Sequence, residues 1–248
     1  MGQINFNKIL TIYGRNSVLE ALENRDISIL KLHLSKTNKS SKSLEKILKL
    51  AKSRGVEIAI YNTKRELSFI SKNSKQDQGV ALDIYMLKFL SESEFLRTAK
   101  KGYRLLALDT INNPQNLGMI IRSATAGNID AIILSTSKNS AKISPLVVKA
   151  SVGTIFKLPI IQTKNLKKSL EIFKRDGARL YTLSSRAKKS YRDENYPSKS
   201  VFILGNETNG VREDIEELSD SSISIPMRRG VESLNVAVTA SLIAFSNL

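Results

Sequence analysis

The chain has 248 residues, 41% of them hydrophobic and 25% charged, which is enough to bury a core and excludes a disordered or fibrous protein. Lys and Arg number 39 against 23 Asp and Glu, and the net charge of +16 favours a polyanionic partner such as nucleic acid over the alternative of solvated basic faces in a Lys-, Ile- and Asn-rich sequence. There is no Cys, so disulfides, thiolate metal sites and Cys nucleophiles drop out, and with one His, His33, a His-based triad or a His-rich metal site has little support, so no metal is expected. Any chemistry must use Arg, Lys, Ser, Thr, Asn, Tyr and carboxylates.

The charge is even along the chain. Residues 1–100 carry 18 Lys/Arg against 10 Asp/Glu, and residues 101–248 carry 21 against 13, so each part holds +8. No apolar run approaches the roughly 18 residues of a membrane span. The opening stretch MGQINFNKIL lacks the apolar segment of a signal peptide, so a cytoplasmic location is expected.

Residues 1–85 read as a small α/β unit. Asn16 to Leu22 has the look of a capped helix start, and Ile29 to Leu34 alternates like a strand. A polar loop spans residues 35–42. Ser43 to Ser53 places Leu44, Ile47, Leu48 and Ala51 on one helical face, and Gly55 stops it. Val56 to Ile60 and Gly79 to Tyr85 read as strands. Residues 86–102 are the linker candidate. Strand–helix alternation follows. Strands are expected at 105–109, 131–135, 158–161, 180–183, 201–204 and 223–225, and helices at 116–126, 166–175 and 235–245. Such alternation predicts a mostly parallel sheet with helices on both faces.

Three segments of this second part each follow a predicted strand, where open α/β sheets place ligands. In the first, Leu108 to Ala124, Asn116 is a candidate helix cap, and Arg122 is either an internal ion-pair partner or an anion-binding group. In the second, an apolar strand runs into Gly205-Asn206-Glu207-Thr208-Asn209-Gly210. The glycine spacing imitates a P-loop, but Val211-Arg212 replaces the required Lys-Ser/Thr, which excludes one. In the third, Ile225-Pro226-Met227 ends a strand, and Ser233-Leu234-Asn235-Val236 opens a small-residue apolar helix, with Ser233 and Asn235 as candidate caps.

In this order the three segments resemble the SpoU (TrmH-type) RNA ribose methyltransferases. The matching residues are Asn116, Gly118 and Arg122, then Gly205, Asn206, Glu207 and Gly210, then Ile225-Pro226-Met227 and Ser233-Leu234-Asn235-Val236. The resemblance covers residues 104–246. Ile12 to Val18 and Gln78-Gly79-Val80-Ala81 are similar to the ends of the family's substrate-binding domain, with Asp77 where many relatives carry His.

The resemblance implies an α/β fold: a SPOUT-type parallel sheet with a trefoil knot at 103–248, an RNA substrate-binding domain at 1–85, and a linker at 86–102. It implies S-adenosylmethionine, bound around Gly205, Ile225 and Leu234. It also implies a catalytic set of Arg122, Asn116, Glu207, Ser233 and Asn235, and a homodimer with the final helix in the interface. A guanidinium gives up its proton only above a pH of about 12, so the role expected of Arg122 is to hold a phosphate or stabilise a developing alkoxide rather than to act as a base.

The expected reaction is 2′-O-methylation of a ribose in structured RNA. A guanosine of 23S rRNA is favoured by the extra N-terminal domain, with tRNA as the alternative. A non-catalytic RNA-binding or ribosome-assembly protein on the same scaffold is the competing class, and the intact motifs count against it. An enzyme of small nucleotides is disfavoured by the missing phosphate-binding fingerprints.

Overall fold

The computed structural model describes residues 9–73 and 75–246. Residues 1–8, part of the stretch read for a signal peptide, lie outside them. The chain divides into two compact units.

The first unit takes the described residues up to Lys88, together with Ile143–Phe156. Its sheet holds β1 (Ile9–Tyr13), β2 (Ile29–Ser35), β3 (Glu57–Tyr61) and β4 (Val80–Tyr85), in the order β1-β4-β2-β3. Helices α1 (Arg15–Glu23), α2 (Lys42–Ser53) and α3 (Lys64–Ser71) alternate with the strands. Period-two alternation buries Ile12, Leu32, Leu82 and Ile84, and helical spacing buries Val18 and Leu22 of α1 and Ile47 and Ala51 of α2. Arg54 follows α2 and donates to the carbonyls of Ala21 and Leu22, in the last turn of α1, and to those of Asn24 and Ile27 in the loop after it. His33, the sole histidine, is buried between Tyr61 and Asp83, its Nδ1 2.9 Å from Tyr61 Oη and its Nε2 3.0 Å from Asp83 Oδ2. Burial opposes ionisation of Asp83, but hydrogen bonds from His33 and Thr11 outweigh it and hold the carboxyl below its ordinary range.

The start of α1 differs from expectation. Its N-cap is Gly14, with no side-chain cap, and Gln78 Oε1 instead accepts from the Arg15 N–H at 2.9 Å. Asp77 makes that reach possible. It is buried and accepts from Ser71 Oγ at 2.8 Å and from the Gly79 N–H at 2.9 Å, which fixes the turn that presents Gln78.

The second unit takes Phe89–Lys142 and the described residues from Lys157 onward. Residues 89–102, expected as part of a linker, are built into it. Leu90 bridges to Ile161, and α4 (Glu92–Thr98) starts at Ser91 with a complete capping box closed by Glu94. Phe95 packs edge-on against Tyr103 and Phe173. The run of Ser and Glu that suggested a connector is the signature of a helix cap.

The unit continues through β5 (Tyr103–Leu108), α5 (Pro114–Ala126) and β6 (Ala131–Ser135). The chain then leaves for α6 (Pro145–Ala150), which belongs to the first unit, where Val147 and Val148 are fully buried. There Ser17 Oγ donates to the Val148 carbonyl and Asn24 Nδ2 to that of Phe156. The chain returns with β7 (Ile160–Thr163), α7 (Leu166–Arg175), β8 (Arg179–Leu183), β9 (Lys189–Ser190) and β10 (Lys199–Leu204). It ends with α8 (Glu213–Glu216), β11 (Ser221–Ser224) and α9 (Val236–Ala244).

The seven strands are all parallel, in the order β7-β6-β5-β10-β8-β11-β9. One face buries Leu105, Ala107, Val201 and Ile203 under Phe95 of α4, Leu170 and Phe173 of α7 and Ile215 of α8. On the other face α5 packs along α9, and Ser123 and Ser241 hydrogen-bond at 2.7 Å. From β5 the chain moves outward to β6 and β7, while β10 lies on its other side. The carboxyl ends of β5 and β10 thus form the switch point where such sheets open a crevice.

Phe95→Ala separates a packed helix from a linker. A buried Phe truncated to Ala costs about 3–5 kcal/mol, so urea unfolding followed by circular dichroism should show a loss of that order. A residue in a linker would move the midpoint hardly at all.

Candidate active site

The site lies at the carboxyl edge of the second sheet, built from the segments that follow β5, β8, β10 and β11. The turn after β10 is its centre. Asn206 Oδ1 accepts from the N–H groups of Thr208 and Asn209, at 3.0 and 2.7 Å, and the Gly210 N–H donates to the Asn206 carbonyl at 3.0 Å. This closes the loop so tightly that a Cβ on Gly205 would overlap the Gly210 carbonyl, so only glycine fits there.

The turn is moored to the end of β5. Asp109, 1% exposed, accepts from both the backbone N–H and Nε of Arg212 at 3.0 Å. Thr110 follows in the left-handed region, φ 58°, and its Oγ1 accepts from Asn206 Nδ2 at 3.2 Å. A β-branched residue rarely adopts that conformation, and the hydrogen bond is one contact that compensates it.

Asn116 is not a helix cap. Asn113 caps α5, its Oδ1 accepting from the Gln115 and Asn116 N–H groups, with Pro114 in the first turn. The Asn116 side chain, buried in α5, donates from Nδ2 to Glu207 Oε1 and accepts at Oδ1 from Asn235 Nδ2 at 3.2 Å. A carboxylate and two amides from three motifs therefore form one chain of hydrogen bonds. Asn235 also caps α9 through the Ala237 N–H at 2.8 Å, as its sequence position suggests, whereas Ser233 makes no cap.

A cavity of about 500 Å³ opens beside this network. Gly205, Glu207, Ile225, Ser233 and Leu234 all line it. Met227, Val236 and Leu183 add apolar wall, and Ser184, Arg186 and Thr239 add polar groups. No motif marks Leu183, Ser184 and Arg186, although they follow a strand that the sequence predicts. The one available signal was position, since they follow a buried strand as the three motifs do.

Arg122 does not line the cavity. It lies on the exposed face of α5 with Gln115 and Met119 and makes no ion pair among the described residues, which removes the internal ion-pair alternative. Among the described residues no group of three or more His, Asp or Glu is arranged to hold a metal ion, and no helix is long and apolar enough to cross a membrane.

The model of the SpoU rRNA Methylase family matches residues 103–245, and that of the RNA 2′-O ribose methyltransferase substrate-binding domain matches residues 11–90. The 23S rRNA (guanosine-2′-O-)-methyltransferase RlmB of Xylella fastidiosa is 32% identical over 237 residues, covering 94% of each chain. Among solved structures, the SpoU methyltransferase AviRb of Streptomyces viridochromogenes, in complex with AdoMet, superimposes with a TM-score of 0.78 at 21% identity. That match covers 95% of this chain and 88% of the other. The TrmH/SpoU tRNA modifying enzyme of A. aeolicus matches with a TM-score of 0.52 at 25% identity, covering 58% of this chain and 73% of that one.

Asn113→Ala and Asn116→Ala should have different consequences. Loss of the cap at Asn113 should lower stability by about 1 kcal/mol, read by denaturant unfolding. Asn116→Ala should leave the start of α5 protected and speed amide exchange at Thr208, Asn209 and Gly210 several-fold, because Glu207 loses its tie to α5.

Proposed function

Since this chain belongs to the SpoU rRNA methylase family, we propose that it is an S-adenosylmethionine-dependent RNA ribose 2′-O-methyltransferase whose target is a guanosine of 23S rRNA. The observation that carries the reading is that the two family models together account for both parts of the chain, catalytic and substrate-binding. The full-length match to a protein named for 23S rRNA supports the rRNA target. The tRNA modifying enzyme of A. aeolicus covers little more than half of this chain, while a putative TrmH family tRNA/rRNA methyltransferase of Staphylococcus epidermidis, 31% identical, covers 95% of it and keeps tRNA as the second target.

The cavity suits the cofactor. Its volume falls within the range of about 300–1,000 Å³ that holds ligands of this size. Ile225, Met227, Leu234 and Val236 offer apolar wall for a purine, and Ser184, Ser233, Thr239 and the backbone beside Gly205 offer polar partners. S-adenosylmethionine supplies an electrophilic methyl group when bound there.

The protein's own task is to present and activate a 2′-hydroxyl. Arg122 is exposed and makes no ion pair among the described residues, so its fork of donors can hold the neighbouring phosphate or stabilise negative charge on the 2′-oxygen. The hydrogen bonds among Glu207, Asn116 and Asn235 set which face each amide shows and keep the three motifs in register. The +16 charge favours RNA phosphates over both parts of the chain. A homodimer belongs to the same proposal. Val238, Leu242 and Phe245 recur at helical spacing on the outer side of α9, with Val238 and Phe245 about half exposed, a stripe that a second copy would cover.

With a tritiated methyl donor and unmodified RNAs, label is expected in 2′-O-methylguanosine of 23S rRNA. Label in tRNA alone would move the target to tRNA, and label on a base would overturn the ribose assignment. Arg122→Ala should lower kcat by about 10²–10³-fold, the usual cost of losing one charge-stabilising group, with cofactor affinity by calorimetry nearly unchanged. Arg122→Lys should rescue poorly, since a point charge replaces a planar fork.

A further inference from the structure

A second opening lies on the other side of the 205–210 turn. It is a crevice of about 560 Å³, lined by Thr110 and Asn112 after β5, Lys138 to Ser140 after β6, and Asn206, Asn209, Gly210 and Arg212 after β10. We propose that this crevice seats a backbone phosphate of the substrate RNA next to the acceptor ribose, with Lys138 as the cation that meets it. The inference rests on the RNA methyltransferase reading and extends it to a site whose cation, Lys138, lies outside the three motifs.

Its position is the first argument. The crevice lies at the carboxyl ends of β6, β5 and β10 and spans the β5–β10 switch point, where the loops of a parallel sheet diverge and leave room for a ligand. The cofactor cavity lies at the ends of β10, β8 and β11. One turn separates the two, and Asn206, Asn209 and Gly210 line both. A ligand in the crevice is therefore a single turn away from a ligand in the cavity, as an acceptor strand must be from the methyl donor.

The chemistry of the lining is the second argument. Apart from Gly210, every lining residue carries an N–H or O–H donor on its side chain, and no lining residue is a carboxylate. The nearby Asp109 is buried and engaged by Arg212, so its charge is compensated. Lys138 is exposed and makes no ion pair among the described residues, which leaves the crevice positive. Donors without a carboxylate among them and a cation without a partner suit an anion, and a phosphodiester is the anion that RNA repeats at every nucleotide. The backbone at Thr110, left-handed in a β-branched residue, adds a third sign, because such strain gathers where a ligand is clamped.

The test uses the full chain, unmodified 23S rRNA transcripts and three variants: Lys138→Glu, Lys138→Ala and Arg175→Glu. Arg175 is exposed at the end of α7, which leads into β8 and so lies at the opposite edge of the sheet, and its reversal is the charge-matched control. RNA affinity is measured across a KCl series, methyl transfer at varied RNA, and cofactor affinity by calorimetry. Lys138→Glu should weaken RNA binding and raise the KM for RNA about tenfold, and should reduce the slope of log Kd against log salt by about one, the loss of one phosphate contact. Lys138→Ala should show a smaller loss of affinity with a similar change in slope. Cofactor affinity should stay unchanged in all three variants, and Arg175→Glu should bind RNA nearly as the wild type does. If the wild type methylates rRNA and Lys138→Glu binds and turns over RNA as Arg175→Glu does, the subsite is wrong and the activity stands. If the wild type methylates no RNA, the activity is wrong and the subsite falls with it.

Discussion

The buried carboxylate of Asp109 is the constraint on which the carboxyl edge of the second sheet depends. A charge 1% exposed is tolerable only with a partner and hydrogen bonds. Arg212 supplies both, through its backbone N–H and its Nε. The Asp109 N–H in turn donates to the Leu204 carbonyl, so the ends of two neighbouring parallel strands are tied through one residue. The turn at the centre of the site and the helix that carries Asn116 and Arg122 follow those strand ends. The turn from Gly205 to Gly210 begins where β10 stops, and Arg212 pins its far end. Thr110 begins where β5 stops and receives the Asn206 side chain.

With the turn pinned at both ends, it acts as a wall with two faces. One face carries Glu207 toward Asn116 and Asn235. These hydrogen bonds join the helix after β5, the turn after β10 and the cap of α9, although the residues are far apart in the chain. The same turn lines the cofactor cavity on one side and the donor-rich crevice on the other. An enzyme without Cys, and with its single His buried in another unit, has to position a weak nucleophile rather than attack with a strong one. Amide–carboxylate geometry and a free guanidinium are the means the chain has for that.

The first unit uses the same device for a different end. Asp77 turns inward to hold the Ser71 hydroxyl and the Gly79 amide, and the turn presents Gln78 to the first amide of α1. His33 also turns inward, to Tyr61 and Asp83. In both cases a titratable side chain that could have been read as functional is consumed by a turn or a sheet.

Local spacing alone determined the parallel α/β architecture of the second unit, the extents of β6 and α7 and the three strand-end motifs. Each of these is periodic or contiguous over a few residues, so the sequence displays it directly. Tertiary structure alone decided where polar side chains point and which segments join which unit. Asn113, not Asn116, caps α5 because Asn116 is buried among residues 91 and 119 positions away. Residues 89–102 form packed structure because Phe95 meets Tyr103 and Phe173, and residues 143–156 join the first unit because Val147 and Val148 are buried there. Asp109 finds Arg212 across 103 residues, and Leu183, Ser184 and Arg186 reach the cavity because β8 lies beside β10 in the sheet. Partners so distant in the chain leave no local pattern, because the order of strands in the sheet, and not the order of residues, brings them together.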